Sequence, residues 1–176
     1  MNKLNMWCWK DIREGYLNVD IVNLPWVDKV FNFESFPYPF EDNTFDEIYC
    51  SHILEHMSDL WKVMDEFYRI WKNWCKIKIK VPYFASPNAM WDYTHKRMFN
   101  THSFEYFTKD CYYNNVDFKI VKQRIHRLSN HEFLKSEWIG NKIMDPIVNL
   151  FPVFFERFFC YIIPCVEIHY LLEVKK

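Results

Sequence analysis

A short apolar run, a turn and a second apolar run that ends on an acid follow one another between Lys3 and Ile21. The first run is predicted to be a short strand, and a second strand is predicted over 17–21, with Asp20 near its end. The link between them is short for a helical crossover, which takes about a dozen residues or more. The chain is therefore predicted to build an α/β sheet whose helices are reduced on one side.

The turn between these strands is centred on Trp7, Cys8 and Trp9. In α/β folds that bind nucleotides, the first strand and its turn approach the ligand, and an acid that closes the second strand binds the ribose hydroxyls. Such a turn is normally rich in glycine, because only glycine lets the backbone come so close. The chain has 2 glycines and 8 tryptophans, whereas average usage of about 7% predicts roughly 12 glycines at this length. This imbalance indicates that tryptophan stands where glycine belongs.

The overall composition limits the class of protein. Its 176 residues, half of them hydrophobic and 26% charged, suit a single globular domain. A net charge of -1 gives no basic surface for nucleic acid, so no nucleic-acid partner is predicted. The 6 cysteines form no C-x-x-C pair, and this favours reduced thiols and a cytoplasmic protein. The N-terminus has no apolar signal region.

The rest of the chain combines further strands with a few helices. The clearest helix is capped by Ser58 or Asp59 and repeats apolar residues at helical spacing from Leu60 to Trp71. Residues 73–75 are predicted to form a turn, and residues 82–99 a long loop of the kind that is often functional. Further helices are predicted from Thr101 or His102 to Phe107 and over 131–146, and further strands over 26–33, 45–51, 76–81, 116–124 and 167–174.

Residues 147–165 form a very apolar segment. Charged residues and two prolines interrupt it, whereas a transmembrane span needs about 20 clean apolar residues. It is therefore predicted to belong to a helical, aromatic-rich insertion at about 130–165, and burial in the core is the favoured interpretation of its aromatic residues. Any exposed part would make peripheral membrane contact through 147–165 or bind a lipid-linked substrate.

Several motifs occur in an order and spacing that resemble those of a known family. They are the strand–turn–strand at 3–21, Phe-Pro-x-Pro-Phe and Ser-His-x-Leu-Glu-His within 36–56, Arg-Ile-x-Lys at 69–72, Val-Pro-Tyr-Phe at 81–84, and the polar run at 92–97. Together they cover most of residues 3–110 and resemble the class I S-adenosylmethionine-dependent methyltransferases, in particular the small bacterial type 11 group. The resemblance implies a Rossmann-like, mostly parallel seven-stranded sheet with an antiparallel last strand. It also implies S-adenosylmethionine bound at the carboxyl ends of the first strands.

The same resemblance implies a set of cofactor-binding residues, each near one part of S-adenosylmethionine. They are the turn Trp7, Cys8 and Trp9 for the methionine end, Asp20 for the ribose, Asn32 and Phe33 for the adenine, and Ser51 and His52 for the methyl-transfer pocket. Asn5 is predicted as a further cofactor-binding residue.

The chain departs from the family pattern at Trp7 and Trp9, where the family has glycine; Trp26, Trp74 and Trp91 also fall where glycine is common. An indole in the turn should fill the space for the cofactor or force the turn open. One hypothesis is that these codons are UGA, which some bacteria read as glycine and which another table writes as tryptophan. The alternative is a decayed methyltransferase. If the protein is made as written, weak or absent cofactor binding is predicted.

Methyl transfer from a sulfonium needs chiefly proximity and in-line orientation, and it needs a general base only if the acceptor must lose a proton. His95 is the candidate base, and Asp92 would orient it or contact the substrate. Lys96 and Arg97 could bind an anionic group of the substrate. The structural alternative is that Asp92 and His95 only hold the loop. The acceptor can be a small molecule, a glycan or a lipid-linked compound, and the oligomeric state cannot be read from the sequence.

Two alternatives from other classes of protein remain open. The first is a non-catalytic, methyltransferase-like binding module. The second is a zinc hydrolase, because residues 52–56 match H-x-x-E-H, with His52 and His56 as ligands and Glu55 as base. That motif follows a strand directly, and a helix that begins only after it would not place both histidines on one face. No metal ligand is therefore predicted.

Overall fold

The structure is a computed structural model that describes residues 2–109, 111–113, 115–127 and 137–176, with only the backbone of 137–141. Its strands are β1 (Lys3–Met6), β2 (Leu17–Asp20), β3 (Lys29–Val30), β4 (Phe45–Ser51), β5 (Trp71–Pro82), β6 (Phe118–His126) and β7 (Glu167–Val174). Its helices are α1 (Leu60–Ile70), α2 (Pro87–Trp91), α3 (Glu137–Val148) and α4 (Pro152–Phe158), with single 3₁₀ turns at Leu54–His56 and Glu105–Phe107.

All seven strands form one sheet in the order β3-β2-β1-β4-β5-β7-β6. Strands β1 to β5 run parallel to one another, whereas β7 lies between β5 and β6 and is antiparallel to both. The predicted Rossmann-like sheet with an antiparallel last strand is therefore confirmed. The strand order reverses between β1 and β4, and in open α/β sheets ligands bind beside the carboxyl ends of the strands at such a point.

The helix predicted after residue 58 is α1, and its start has a clear local cause. The side chain of Asp59 accepts a hydrogen bond of 3.1 Å from the backbone N–H of Lys62, which caps the first turn. The apolar residues that repeat along the helix are buried against the sheet. At its other end the helix passes directly into β5 at Trp71.

The segments between β1 and β4 carry no helix, as the short links predict: residues 7–16, 21–28 and 31–44 are turns and loops. Aromatic side chains cover this side of the sheet instead. The ring of Phe31 contacts those of Phe33 and Tyr38 with centroids 4.8 and 5.3 Å apart. Glu66 of α1 accepts a hydrogen bond of 2.6 Å from the backbone N–H of Tyr38, which ties this loop to the helix.

Several predicted elements differ from those observed. The helix predicted from Thr101 or His102 to Phe107 is only the 3₁₀ turn Glu105–Phe107, and the loop predicted over 82–99 contains α2. The strand predicted over 26–33 is reduced to β3, because the Asp28 side chain turns back and accepts a 2.7 Å hydrogen bond from the backbone N–H of Asn18. The turn predicted at 73–75 is instead an irregularity within β5. There, Phe45 of β4 pairs with Trp71 but Glu47 pairs with Lys76, so the longer strand bulges between these pairs.

The C-terminal region is only partly as predicted. Of the helix predicted over 131–146, residues 131–136 lie outside the described residues, and the rest belongs to α3. The prediction that the aromatic residues of 147–165 are mostly buried is wrong, because α4 is short and turns only one ring, that of Phe155, into the core. Its neighbours are exposed: Phe151, Phe154, Phe158, Phe159 and Tyr161. Within the described residues, no helix has the length and apolar character to cross a bilayer.

Candidate functional site

A cavity of about 1150 Å³ opens at the carboxyl edge of the sheet, beside the point where the strand order reverses. Its walls come from the turn after β1, the tips of β4 and β5, the 3₁₀ turn at Leu54–His56, the loop that follows β5, and the start of β7. Of the residues predicted as cofactor-binding or catalytic, those lining it are Trp7, Cys8, Trp9, Ser51, His52, Asp92 and His95.

The buried side-chain amides of Asn5 and Asn18 hold the turn after β1 in place through hydrogen bonds. The side-chain N–H₂ of Asn5 donates to Oδ1 of Asn18 at 2.9 Å and to the carbonyl oxygen of Asp11 at 2.7 Å. Asn18 also accepts from the backbone N–H of Arg13 at 2.9 Å. Asn5 therefore supports the turn from beneath and does not line the cavity, although it was predicted to bind the cofactor.

Asp20 stands at the end of β2, as predicted, but its carboxylate is only 3% exposed. Its Oδ2 accepts a hydrogen bond of 2.9 Å from the backbone N–H of Trp9, and its Oδ1 accepts one of 3.1 Å from Val22. Both carboxylate oxygens of Asp20 thus accept hydrogen bonds from the backbone of nearby residues. Asp20 is not among the residues that line the cavity.

The residues predicted near the adenine, Asn32 and Phe33, also lie outside the cavity lining. Phe33 is 1% exposed and belongs to the aromatic cluster beside β3. Asn32 is exposed, and its Oδ1 accepts a hydrogen bond of 2.9 Å from the backbone N–H of Glu34. Trp7, which lines the cavity, has its indole 6.1 Å from the Phe33 ring and stacks on His56 at 5.7 Å.

Three of the five tryptophans that fall at family glycine positions have a backbone that L-residues rarely adopt. The φ angles are 60° at Trp7, 32° at Trp9 and 65° at Trp74. This left-handed region is open to glycine at no steric cost and is unfavourable for bulky residues. Trp26 and Trp91 are not in this region, and Trp91 instead ends α2.

The histidine after β4 lies between two acids. Nε2 of His52 is 3.3 Å from Oε1 of Glu167, and its Nδ1 is 3.4 Å from Oε1 of Glu55. Burial opposes protonation of this imidazole, but the two carboxylates outweigh it and raise the pKa of His52 to about 9. Glu167 is buried, yet its bonds to His169 and His52 hold the pKa of its carboxyl well below the usual range. His52 is therefore a cation at neutral pH.

The polar loop at 92–97 is fastened onto the 3₁₀ turn. The backbone N–H of Lys96 donates to the carbonyl oxygen of Glu55 at 2.8 Å, and the Arg97 guanidinium donates to the carbonyl of Met57 at 2.8 Å. Lys96 Nζ bonds to Oγ of Ser58 at 2.5 Å. Both cations that were predicted to bind an anionic substrate group thus hold the loop, although Lys96 also lines the cavity.

His95 and Asp92 both line the cavity, but their relationship differs from the prediction. Nδ1 of His95 lies 3.0 Å from the carbonyl oxygen of Ala89, and its Nε2 is 3.9 Å from Oδ2 of Asp92, too far for a hydrogen bond. Asp92 instead accepts a hydrogen bond of 2.6 Å from the Thr94 hydroxyl. The same Thr94 oxygen, Oγ1, lies 2.8 Å from Nδ1 of His56. Asp92 therefore orients His56 through Thr94, not His95.

Four residues of the site were missed or given another role from the sequence: Glu55, His56, Thr94 and Glu167. Glu55 and His56 were considered only as parts of the H-x-x-E-H motif, although the Ser-His-x-Leu-Glu-His run carries them next to the predicted pocket residues. Glu167 begins the last strand, and only the placement of β7 beside β5 brings it to His52. No local pattern in the sequence signals that contact.

Comparisons with known proteins agree with this architecture. A family model described as "Methyltransferase domain" matches residues 11–75, which include β2, β4 and α1 and begin just after the tryptophan turn. No curated protein matches the chain.

Solved structures of low sequence identity share the fold. A SAM dependent methyltransferase from Archaeoglobus fulgidus has a TM-score of 0.59 at 14% identity, over 98% of this chain and 85% of that one. A putative sarcosine dimethylglycine methyltransferase from Galdieria sulphuraria has a TM-score of 0.60 at 15% identity, over 99% and 78%. The [4+2]-cyclase SpnF has a TM-score of 0.60 at 12% identity, over 99% and 74%. The predicted resemblance to class I S-adenosylmethionine-dependent methyltransferases of the type 11 group is confirmed.

Proposed function

We propose that this chain, which carries a methyltransferase domain on the class I fold, transfers a methyl group from S-adenosylmethionine to an acceptor that enters the cavity at the carboxyl edge of the sheet. The observation that carries the proposal is the position of this cavity. It lies beside the turn after β1, where the strand order reverses, which is where open α/β sheets bind their ligands.

The residues around the turn fit this cofactor in backbone conformation but not in side chain. The left-handed backbone at Trp7 and Trp9 is the conformation that a glycine turn would have. The Trp7 indole, however, packs against His56 and Phe33 and takes up space next to the turn. Methyl-donor binding by the chain as written is therefore expected to be weak.

The left-handed backbone also supports the hypothesis that some tryptophans are glycines in the natural protein. The backbone conformation supports the hypothesis at Trp7, Trp9 and Trp74, where φ is positive. It gives no support at Trp26 or Trp91. The gene itself tests the hypothesis: UGA codons at positions 7 and 9 are expected, and UGG codons there would contradict it. A decayed methyltransferase remains the competing explanation.

When bound, S-adenosylmethionine supplies a methyl group that is already activated, so the protein residues chiefly orient the acceptor. Two imidazoles, those of His56 and His95, line the cavity. Burial lowers the pKa of His56, although the nearby carboxylate of Glu55 opposes this shift, and the neutral ring is able to take a proton. His95 stays the candidate base from the sequence, and Asp92 positions His56 through Thr94.

The lining supports a polar acceptor. Cationic side chains, Lys80 and His52, stand in the same cavity as the carboxylates of Glu55, Glu167 and Asp92. A small molecule or a glycan would find both donors and acceptors there. The exposed aromatic residues around α4 support the lipid-linked alternative and a peripheral membrane contact, because such surfaces commonly bind apolar partners.

The proposal is tested with methyl-labelled S-adenosylmethionine and pooled polar and lipid-linked acceptors, and the readouts are the S-adenosylhomocysteine formed and the label transferred to an acceptor. The Trp7→Gly, Trp9→Gly double variant is expected to form S-adenosylhomocysteine only when an acceptor is present. Adding His95→Gln should lower kcat roughly 10²-fold or more if His95 is the base. Adding His102→Gln is the matched control, because His102 is exposed and bonded to Glu105 at 2.9 Å, away from the cavity.

A methyltransferase-like binding module is the second candidate. The Trp7 indole, which packs on His56 beside the turn, favours it because it takes up space next to the turn. A variant that binds S-adenosylmethionine but forms no S-adenosylhomocysteine with any acceptor would favour this module. The zinc hydrolase is not proposed, because residues 52–56 form no α-helix and α1 begins only at Leu60.

A further inference from the structure

We propose that Glu55, His56 and His95 form a binding site for a divalent transition-metal ion on the wall of the cavity. One possible ligand atom from each of these residues lies within 4.8 Å of the others. Three protein ligands with further positions left open are the arrangement found in catalytic metal sites. The site goes beyond the proposed methyl transfer and does not depend on it.

The carboxylate of Glu55 is the strongest indication of a ligand. Glu55 is 1% exposed, and neither of its side-chain oxygens accepts a hydrogen bond from any of the described residues. Its neighbour His52 has Nδ1 at 3.4 Å from Oε1, without hydrogen-bond geometry. A buried carboxylate that accepts no hydrogen bond is costly, because it has lost its contacts with water. The nearby His52 cation offsets part of this cost, and a metal ion would supply the direct contact that the carboxylate lacks.

The two histidines are held in the tautomer that binds a metal through Nε2. Nδ1 of His95 lies 3.0 Å from the carbonyl oxygen of Ala89, which can only accept, so Nδ1 carries the proton. The Thr94 hydroxyl gives its one proton to Asp92 at 2.6 Å, so Nδ1 of His56, 2.8 Å from the same oxygen, must donate. Each Nε2 therefore keeps its lone pair.

The groups that bond to Nδ1 of these two histidines are of the kind that metal-binding histidines usually have. A ligating histidine donates its other ring N–H to a carbonyl, a carboxylate or a similar acceptor, which fixes the ring. Ala89 does this for His95, and Thr94 together with Asp92 does it for His56. Two imidazole nitrogens and one carboxylate oxygen suit Zn²⁺, Co²⁺ or Fe²⁺ better than Mg²⁺ or Ca²⁺.

This set of ligands differs from the one that the H-x-x-E-H motif predicts. In the motif His52 is a ligand and Glu55 the base, whereas here His52 is paired with Glu167 and Glu55 is a ligand. The third ligand, His95, comes from the loop that Lys96 fastens to the 3₁₀ turn. A bound ion would occupy the Nε2 lone pair of His95, so ligand and general base are exclusive roles for this residue.

The test is a titration of the purified chain with Co²⁺ or Zn²⁺ alone, followed by absorption and by metal analysis after dialysis. One ion per chain is expected, with a dissociation constant of about 10 µM or tighter. Glu55→Gln and His95→Gln should each weaken binding about tenfold or more, and Thr94→Val should do so through His56. His102→Gln is the matched control and should bind as the parent chain does.

Two results would overturn the site: no ion bound at about 100 µM metal, or an ion whose affinity is unchanged in Glu55→Gln, His95→Gln and Thr94→Val. Circular dichroism checks that each variant is folded, and Thr94→Val keeps the side-chain volume if either ligand variant unfolds. No methyl donor is present, so the outcome is independent of whether methyl transfer occurs.

Discussion

The backbone N–H of Trp9 donates a hydrogen bond of 2.9 Å to Oδ2 of Asp20, and this bond joins the turn after β1 to the end of β2. The acid that the sequence assigns to the ribose is thus used to hold the turn. Because the amide is a backbone group, a glycine at position 9 could make the same bond. The contact therefore belongs to the fold whichever residue the gene specifies.

Replacing Asp20 should destabilise the fold even without any ligand. Asp20→Ala removes the buried carboxylate that accepts from the backbone N–H groups of Trp9 and Val22, and because hydrogen bonds to a charged group are strong, the expected loss in unfolding free energy is about 1–3 kcal/mol. Urea denaturation measures it. The control is Asp11→Ala: the exposed carboxylate of Asp11 pairs with Arg13, and its loss should cost less than about 0.5 kcal/mol. Equal, small effects of both changes would contradict the structural role of Asp20.

Trp74→Gly should stabilise the protein. Trp74 is exposed and has φ 65° in the bulge of β5, where a non-glycine residue costs about 1–2 kcal/mol. The greater freedom of glycine in the unfolded chain offsets part of this, so the expected net gain is about 0.5–1 kcal/mol in thermal or urea unfolding. Trp91→Gly is the matched control: Trp91 is also exposed but ends α2 without a positive φ. A gain at Trp91 and none at Trp74 would show that the backbone argument is wrong.

The thiols should differ sharply in reactivity. Burial raises the pKa of Cys8 to about 11 and those of Cys75 and Cys165 to about 12. Cys50 and Cys160 are also buried, and their pKa values are raised by the same cause. Since the thiolate is the reactive form, these groups should resist alkylation at pH 8, whereas the partly exposed Cys111 should react.

Mass spectrometry after brief labelling counts the modified thiols. One label is expected in the native protein and all 6 in urea. Rapid native labelling of Cys8 would mean that the turn over β1 opens far more than its hydrogen bonds to Asn18 and Asp20 allow.

The parts of the fold that could be predicted from the sequence have local causes. Asp59 caps α1 through its own side chain, and the alternation at Glu167–Val174 defines β7 without reference to the rest of the chain. The tryptophans chosen as glycine positions were found from a family pattern, and three of them have the backbone that glycine prefers.

The parts that could not be predicted depend on distant residues. The cluster of Glu55, His56 and His95 exists because Lys96 bonds to the Glu55 carbonyl, and no periodicity signals that contact. Thr94 links Asp92 to His56 by hydrogen-bond geometry, which the sequence does not encode as a spacing. The exposure of Phe154 and Phe158 follows from the shortness of α4, whereas apolar density alone favours burial.

Calorimetric titration of S-adenosylmethionine tests the central claim most directly. The Trp7→Gly, Trp9→Gly double variant is expected to bind one molecule per chain, at least about tenfold more tightly than the chain as written. Trp74→Gly, a change of the same kind at a residue outside the cavity lining, should leave the affinity as it is in the chain as written. A double variant that is folded by circular dichroism, yet binds no S-adenosylmethionine at about 1 mM, would contradict the account.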